Sequence, residues 1–200
     1  MQTTRRSDIP SVLGLAIAIG LAGCDESATG PGAVPPTPSS ERTDDGATGT
    51  PGTIEIVDIW TPAAVGDASV LRTRLAAEGV NPNDLDPTFG VSGLAIAADF
   101  GQAESVRILL DAGADPNTLN RNRSSPALGA AFFGRPECLR ILLDAGADPS
   151  IADENGTTTF TALNAPWEIT RMIAEALQMP LDPELLAAGR DECRRILAER

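Results

Sequence analysis

The chain of 200 residues has no histidine and no tyrosine. Without an imidazole there is no Ser-His-Asp or Cys-His nucleophile system and no histidine metal site. Cysteine is scarce, and three residues (Cys24, Cys138 and Cys193) cannot frame a disulfide-rich scaffold. Positive charge is also in short supply: 15 Lys plus Arg stand against 28 Asp plus Glu, a formal net charge of −13. That balance lacks the basic footprint that nucleic-acid binding requires. No run of oxygen ligands has the spacing of a calcium loop. The apolar run Val12–Leu21 is about ten residues long, too short to cross a bilayer as a helix.

What the chain does have is one stretch that occurs twice. Gly101–Asn117 reads GQAESVRILLDAGADPN, and 33 residues later Gly134–Ser150 reads GRPECLRILLDAGADPS. A fixed period of this size signals a repeat architecture, in which units too small to bury their own apolar face must stack. Ala103, Val106, Leu109 and Leu110 share one face of a helix, while Glu104, Arg107 and Asp111 point to water. Gly113 stands where a left-handed residue ends a helix, and Pro116 prevents its resumption. Upstream, Leu94, Ala97 and Ala98 form a shorter apolar face behind Ser92, a possible N-cap. Ser125-Pro126 is the stronger start signal in the second copy. Each unit thus reads as short helix, tight turn at Gly101 or Gly134, longer helix, loop. Small residues at Ala97, Ala98, Ala130 and Ala131 let the first helices approach closely.

At Ser125-Pro126, Ala130-Ala131, Gly134, Leu142-Leu143, Gly146-Ala147 and Asp153-Glu154-Asn155-Gly156 the chain resembles the ankyrin repeat family. The family's Thr-Pro-Leu-His histidine is replaced by Ala95, Leu128 and Thr161, which removes its hydrogen bonds and implies a softer stack. The resemblance implies an all-α solenoid of stacked helix-turn-helix units joined by hairpin-like loops. It also implies a protein-binding module, not an enzyme, with no cofactor and no small-molecule substrate.

In order, residues 1–23 read as a signal peptide: Arg5 and Arg6 precede the apolar run, and Leu21-Ala22-Gly23-Cys24 resembles a bacterial lipobox. That resemblance implies cleavage before Cys24 and lipid on its sulfur; the alternatives are an ordinary secretory signal or an internal anchor. Asp8 stands where a twin-arginine signal wants an apolar residue. Residues 24–53 read as a disordered linker, since ten of the 29 residues from Asp25 to Thr53 are Gly or Pro and Val34 is the single large apolar one. As a coil it spans roughly 30 Å, and fully extended about 90 Å. Residues 54–200 read as the repeat domain, about four units plus a C-terminal cap. Thr53–Asp84 is a divergent first unit with Asp58 as a possible cap, and Asp86–Thr118 and Leu119–Ile151 are the clear ones. In the weaker Ala152–Asp182 unit, Met172-Ile173 and Ala176-Leu177 take the outer-helix positions and Trp167 the slot of Gly134. Gly189–Cys193 parallels Gly134–Cys138 in a fifth, shortened unit, where Arg190, Arg194, Arg195 and Arg200 give a polar outer face.

Asp111, Asp115, Asp144 and Asp148 recur at the repeat period in loops, where short carboxylates satisfy backbone N–H groups; this structural reading outweighs a catalytic or calcium-binding one. Cys138 and Cys193 fall two repeat steps apart at roughly 10 Å per step. That is beyond the ~7 Å a disulfide tolerates, so both read as small buried hydrophobes, with a redox role as the alternative. In the ankyrin family the concave surface comes from loop tips and from the two positions after Ala-Ala. Here these supply Phe89, Asp99, Phe100, Arg121, Arg123, Phe132 and Phe133 as expected partner-binding residues; the other reading packs the phenylalanines between units or onto the N-terminal segment.

The expected function is a lipid-anchored interaction module of the bacterial cell envelope, on the periplasmic face of a membrane or the cell surface. Its partner is an unidentified protein, and its membrane contact is the lipid on Cys24. Resemblance to bacterial ankyrin lipoproteins suggests a scaffold or protector of an exported enzyme, or alternatively an immunity-type inhibitor of a toxin. A carboxylate-dependent hydrolase is the remote alternative and needs a sealed carboxylate of raised pKa.

Overall fold

The structure, a computed structural model, describes residues 58–200. The expected signal peptide 1–23, the linker 24–53, the lipidation site Cys24 and residues 54–57 lie outside the described residues. Described helices are α1 (Trp60–Val65), α2 (Ala68–Leu75), α3 (Gly93–Asp99), α4 (Ala103–Asp111), α5 (Pro126–Phe132), α6 (Pro136–Asp144), α7 (Thr159–Ala162), α8 (Trp167–Ala176) and α9 (Pro183–Ala198).

Helix starts follow the sequence closely. The Asp58 carboxylate accepts from the N–H groups of Trp60 and Thr61, both at 3.0 Å. Ser92 Oγ accepts from Ala95 N at 3.1 Å and Ser125 Oγ from Leu128 N at 3.3 Å. Thr158 and Thr161 bond reciprocally in a capping box one period further on. The longer helices α4 and α6 end at Gly113 and Gly146, both at φ 92, where a side chain would be strained.

Two layers result. The inner helices α1, α3, α5 and α7 pack in succession, and the outer helices α2, α4 and α6 pack in parallel with them. Ala97, Ala98, Ala130 and Ala131 are wholly buried, so the inner helices come close. Val106, Leu109, Leu139 and Leu142 are equally buried between the layers. Polar joints then fix the register. Asn83 accepts from Asp115 N at 2.7 Å and donates to Gly113 O at 3.2 Å; Asn117 repeats this with Asp148 N at 2.8 Å and Gly146 O at 3.1 Å. Between loop tips, Arg121 N donates to Gly90 O at 2.8 Å and Glu154 N to Asn122 O at 3.1 Å. Exposed ion pairs join successive outer helices: Arg72–Glu104 at 2.5 Å, Arg107–Glu137 at 2.9 Å and Arg140–Glu192 at 3.6 Å. Each contributes little energy in water, but the third pair identifies the helix that completes the layer.

That helix is α9, not α8. The sequence pattern places Met172-Ile173 and Ala176-Leu177 on the outer helix of a fourth unit; the structure packs α9 against α6 instead. Cys193, Ile196 and Leu197 join Cys138 and Leu142 in the main core. The expected parallel of Gly189–Cys193 with Gly134–Cys138 gives the correct register, but within the fourth unit and not a fifth. Cys193 follows Cys138 by 55 residues where one period would be 33, so about 22 inserted residues carry α8 and the start of α9. The physical cause is Trp167, which stands where the tight turn needs a left-handed residue and begins a helix of its own. Two further expectations change with it. The cysteines sit on neighbouring helices, one step apart, and both are buried, unpaired thiols pushed up to about 12 by desolvation. Arg190 does not face water but is only 7% exposed.

Candidate functional site

The expected binding residues separate into a covered face and an exposed tip. Phe132 and Phe133 end α5 and meet edge to face, ring centroids 4.9 Å apart at 85°. Phe133 is only 4% exposed, and Phe100 and Phe132 are half-buried. The inserted segment covers them: Ile173, Ala174, Leu177, Met179 and Leu181 pack with the three rings in a second apolar cluster. The exposed aromatic patch expected from the sequence is therefore not presented. Its cause is the insertion, which a strict 33-residue register does not anticipate. Phe89 is half-buried too, lying on the main core while its N–H donates to Asp86 at 2.6 Å.

Asp99 is the buried polar member of this region. Its outer edge reaches the surface, yet Oδ1 is sealed and has no hydrogen-bond partner. The oxygen lies against the backbone of Gly129, where an added Cβ would fall 1.8 Å away. Desolvation raises the carboxyl to a pKa of about 7, and the charge of Arg135 opposes the rise. Arg135 nevertheless donates Nε to the backbone carbonyl of Asp99 at 3.2 Å, and its Nη2 reaches Met179 Sδ at 3.3 Å.

Arg190 is the largest polar anchor here. It donates to Phe132 O from Nε at 3.1 Å and Nη2 at 2.6 Å, to Ala165 O at 2.7 Å and to Thr170 Oγ1 at 2.9 Å. Its guanidinium also stands 5.5 Å from the Phe132 ring centroid. Sequence reasoning did not single out Arg135 and assigned Arg190 to a solvent-facing surface, although a signal for the joint was there. Gln102, Arg135 and Arg190 each follow a glycine, Gly101 and Gly134 in turns and Gly189 within α9, and each donates to a carbonyl near the end of the preceding unit's inner helix, Gln102 to Ala64 O at 3.1 Å. Only a long side chain with several donors can span that joint.

The exposed tip carries Arg121 and Arg123. Arg121 lies across Gly90 and donates Nη1 to Thr88 O at 3.3 Å. Arg123 has φ 64, in the left-handed region, at the position occupied 33 residues later by Gly156 at φ 78. Neither pairs with a carboxylate among the described residues, although the other exposed arginines there do. No contact brings these arginines onto the phenylalanine cluster.

The loop aspartates behave as turn-formers. Asp115 accepts from Asn117 N at 2.9 Å. Asp148 accepts from Ser150 N at 2.8 Å and Ser150 Oγ at 2.6 Å, bonds that lower its pKa. Asp111 and Asp144 are not in the loops but end α4 and α6, and Asp144 pairs with Arg200. Among the described residues no three acidic or cysteine side chains converge as metal ligands.

Known proteins give the same reading of the repeats. Residues 63–153 match a family described as ankyrin repeats, in three copies. A stretch of 30 residues is 70% identical to cyclin-dependent kinase 4 inhibitor B of Mus musculus, covering 15% of this chain and 23% of that protein. The chain thus spans less than a quarter of that relative's length. The family match stops at residue 153, just before the unit that contains the insertion. With the helix pairs, the Asn83 and Asn117 joints and the linked loop tips in place, residues 63–153 match ankyrin repeats and the described fold is an ankyrin-repeat solenoid.

Proposed function

We propose that this protein is a lipid-anchored ankyrin module that binds a partner protein at the bacterial cell envelope. Ankyrin repeats are protein-interaction modules and typically perform no chemistry. The observation that carries the reading is the central loop tip: two exposed arginines without a carboxylate partner among the described residues, one of them at φ 64. A non-glycine residue kept in a sparsely populated conformation points to a role beyond folding. Arg121 and Arg123 suit a partner that presents carboxylates. The lipobox-like Leu21–Cys24 and the Pro/Gly-rich linker support a tether that lifts the repeats off a membrane.

Within this reading the scaffold and the inhibitor remain distinct. Likeness of one short stretch to a protein named as a kinase inhibitor favours inhibition by binding, here of an exported toxin or enzyme. A hydrolase is disfavoured because Asp99, the sealed carboxyl, faces Gly129 and Arg135 and not a second carboxylate. The test has two arms. Wild-type protein should carry acyl mass on Cys24 and enter the detergent phase, whereas Cys24→Ser should remain an uncut precursor. A photo-crosslinker at position 123 should capture one discrete protein in native membranes, and Arg121→Ala should weaken that capture. An unacylated Cys24 removes the anchor; capture unaffected by Arg121→Ala removes the arginine site.

A further inference from the structure

The stack does not need α8. With α9 completing the outer layer, the inserted helix has at most sparse backbone contact with the other described helices and touches the stack mainly through side chains. Of its ten residues only Thr170 and Ala174 are buried, and Met172 is 47% exposed. Its apolar side chains Ile173 and Ala174 join only the second cluster, on Phe100, Phe132 and Phe133, of which Phe100 also reaches the main core. The chain leaves α8 through Gln178 at φ 53, a strained conformation that brings Met179 onto the same cluster. Arg190 bonds to both parts: Phe132 O and Ala165 O lie at the ends of the inner helices α5 and α7, and Thr170 Oγ1 lies on the insert.

We infer that the face made by Phe100, Phe132 and Phe133 is a groove for one amphipathic helix, and that α8 occupies it as a stand-in that a partner's helix displaces. The inference rests on the protein-binding reading above and specifies the chemistry of the partner. The seated segment defines that chemistry: aliphatic side chains four residues apart (Ile173 and Leu177), a small residue between them (Ala174), and methionine just beyond (Met179). Near the helix start an oxygen must be free to accept from Arg190, as Thr170 Oγ1 does. When α8 leaves, Arg190 keeps its bonds to Phe132 O and Ala165 O, so the groove retains its polar anchor while the Nη2 donor that met Thr170 becomes available.

The test uses the full chain and a fluorescent synthetic peptide spanning residues 165–182. Ile173→Asp/Leu177→Asp should undock α8 while the stack stays folded. That variant should bind the peptide at least about tenfold more tightly than wild type, whose groove is already occupied. A peptide carrying the same two aspartates should not bind. Hydrogen exchange at the ends of α3 and α5 should rise in the variant and fall again with peptide. A milder variant, Thr170→Ala/Met179→Ala, should give the same pattern at reduced amplitude. A folded variant that does not bind the peptide would overturn the inference, as would unchanged exchange at the ends of α3 and α5. Loss of cooperative folding in both variants would show α8 to be core and would equally sink it. None of these outcomes depends on the Cys24 and Arg121 measurements, so failure here is distinguishable from failure of the binding reading.

Discussion

The central units and the last unit start from one pattern and end as different objects. In the central units a glycine turns the chain from inner to outer helix within three residues, and Asn83 and Asn117 tie the loops into these units. In the last unit Trp167 replaces the glycine, and in the loop that leads into it Ser150 stands in the place of Asn117. Both the N–H and the hydroxyl of Ser150 turn back onto Asp148, so this loop makes no cross-unit tie of that kind. The outer layer is nonetheless completed, because Glu192, Cys193, Ile196 and Leu197 restore the pattern about 22 residues late. Apolar periodicity therefore decides which helix joins the core, while turn chemistry decides how far along the chain that helix is found. The residues in between are left to cover a different surface.

The largest effect should come from the side chains that the two regions use differently. Leu142 is wholly buried in the stack, and Leu177 packs only on the phenylalanine cluster. Leu142→Ala should cost about 2–5 kcal/mol in a denaturant melt, and Leu177→Ala clearly less, with the main transition still cooperative. Equal costs would mean that α8 folds as part of the stack. A second break targets the joint that holds α9 in place. A Cβ on Gly189 would lie 2.2 Å from the carbonyl oxygen of Gly134, a backbone atom that cannot swing aside. Gly189→Ala should destabilise by about 1–3 kcal/mol and raise the reactivity of Cys193 toward a thiol reagent. A neutral result would show that α9 does not rest on that turn.

These two regions also differ in how well the sequence reveals them. Caps at Ser92 and Ser125, the glycine turns and the burial of Leu109 and Leu142 all follow from local pattern, because each depends on contacts within one period. The fate of Phe100, Phe132 and Phe133 depends on a segment more than thirty residues away, whose place is set by an insertion. Period alone assigns α8 to the outer layer, since Met172-Ile173 and Ala176-Leu177 resemble the right apolar face. What distinguishes α9 is the Gly-Arg pair at Gly189-Arg190 followed by Glu192 and Cys193, a match to Gly134–Cys138 that carries both the joint arginine and the ion-pair glutamate. Asp99 is legible as a residue of the concave side, but its isolation from hydrogen bonds depends on the approach of Gly129, which no local pattern contains.

Asp99 offers a smaller and pH-dependent test of the covered face. Its carboxyl has a pKa of about 7 in the folded chain against an ordinary value of 3.8. Between those values the folded state holds a proton that the unfolded chain has lost. Stability should therefore fall as pH rises from about 4 toward 7 through this group, the opposite of a salt-bridged aspartate. Arg135, the charge that faces it, stays positive throughout this window. Asp99→Asn should flatten that decline, seen as melting curves recorded across the window for both proteins. An unchanged pH profile would place the proton elsewhere.

The smallest expected change is the one that separates folding from binding on the exposed tip. Arg123 and Gly156 occupy equivalent places in successive loops, at φ 64 and φ 78. For a residue with a Cβ that conformation costs about 1 kcal/mol or more, whereas glycine adopts it freely. Glycine also gives the unfolded chain more freedom, which offsets part of the gain. Arg123→Gly should therefore raise stability by a few tenths to about 1 kcal/mol, leaving the turn bond from Arg123 N to Asn120 O intact, since it uses only backbone atoms. The same change removes from the tip one of the two guanidinium groups that have no carboxylate partner among the described residues. With a partner in hand, it should slow association and reduce its salt dependence. A variant that is more stable and binds less well would show that the strain is retained for recognition. If stability rises and affinity does not change, Arg123 is only a tolerated residue in a glycine's place, and the binding surface must lie along the rest of the stack.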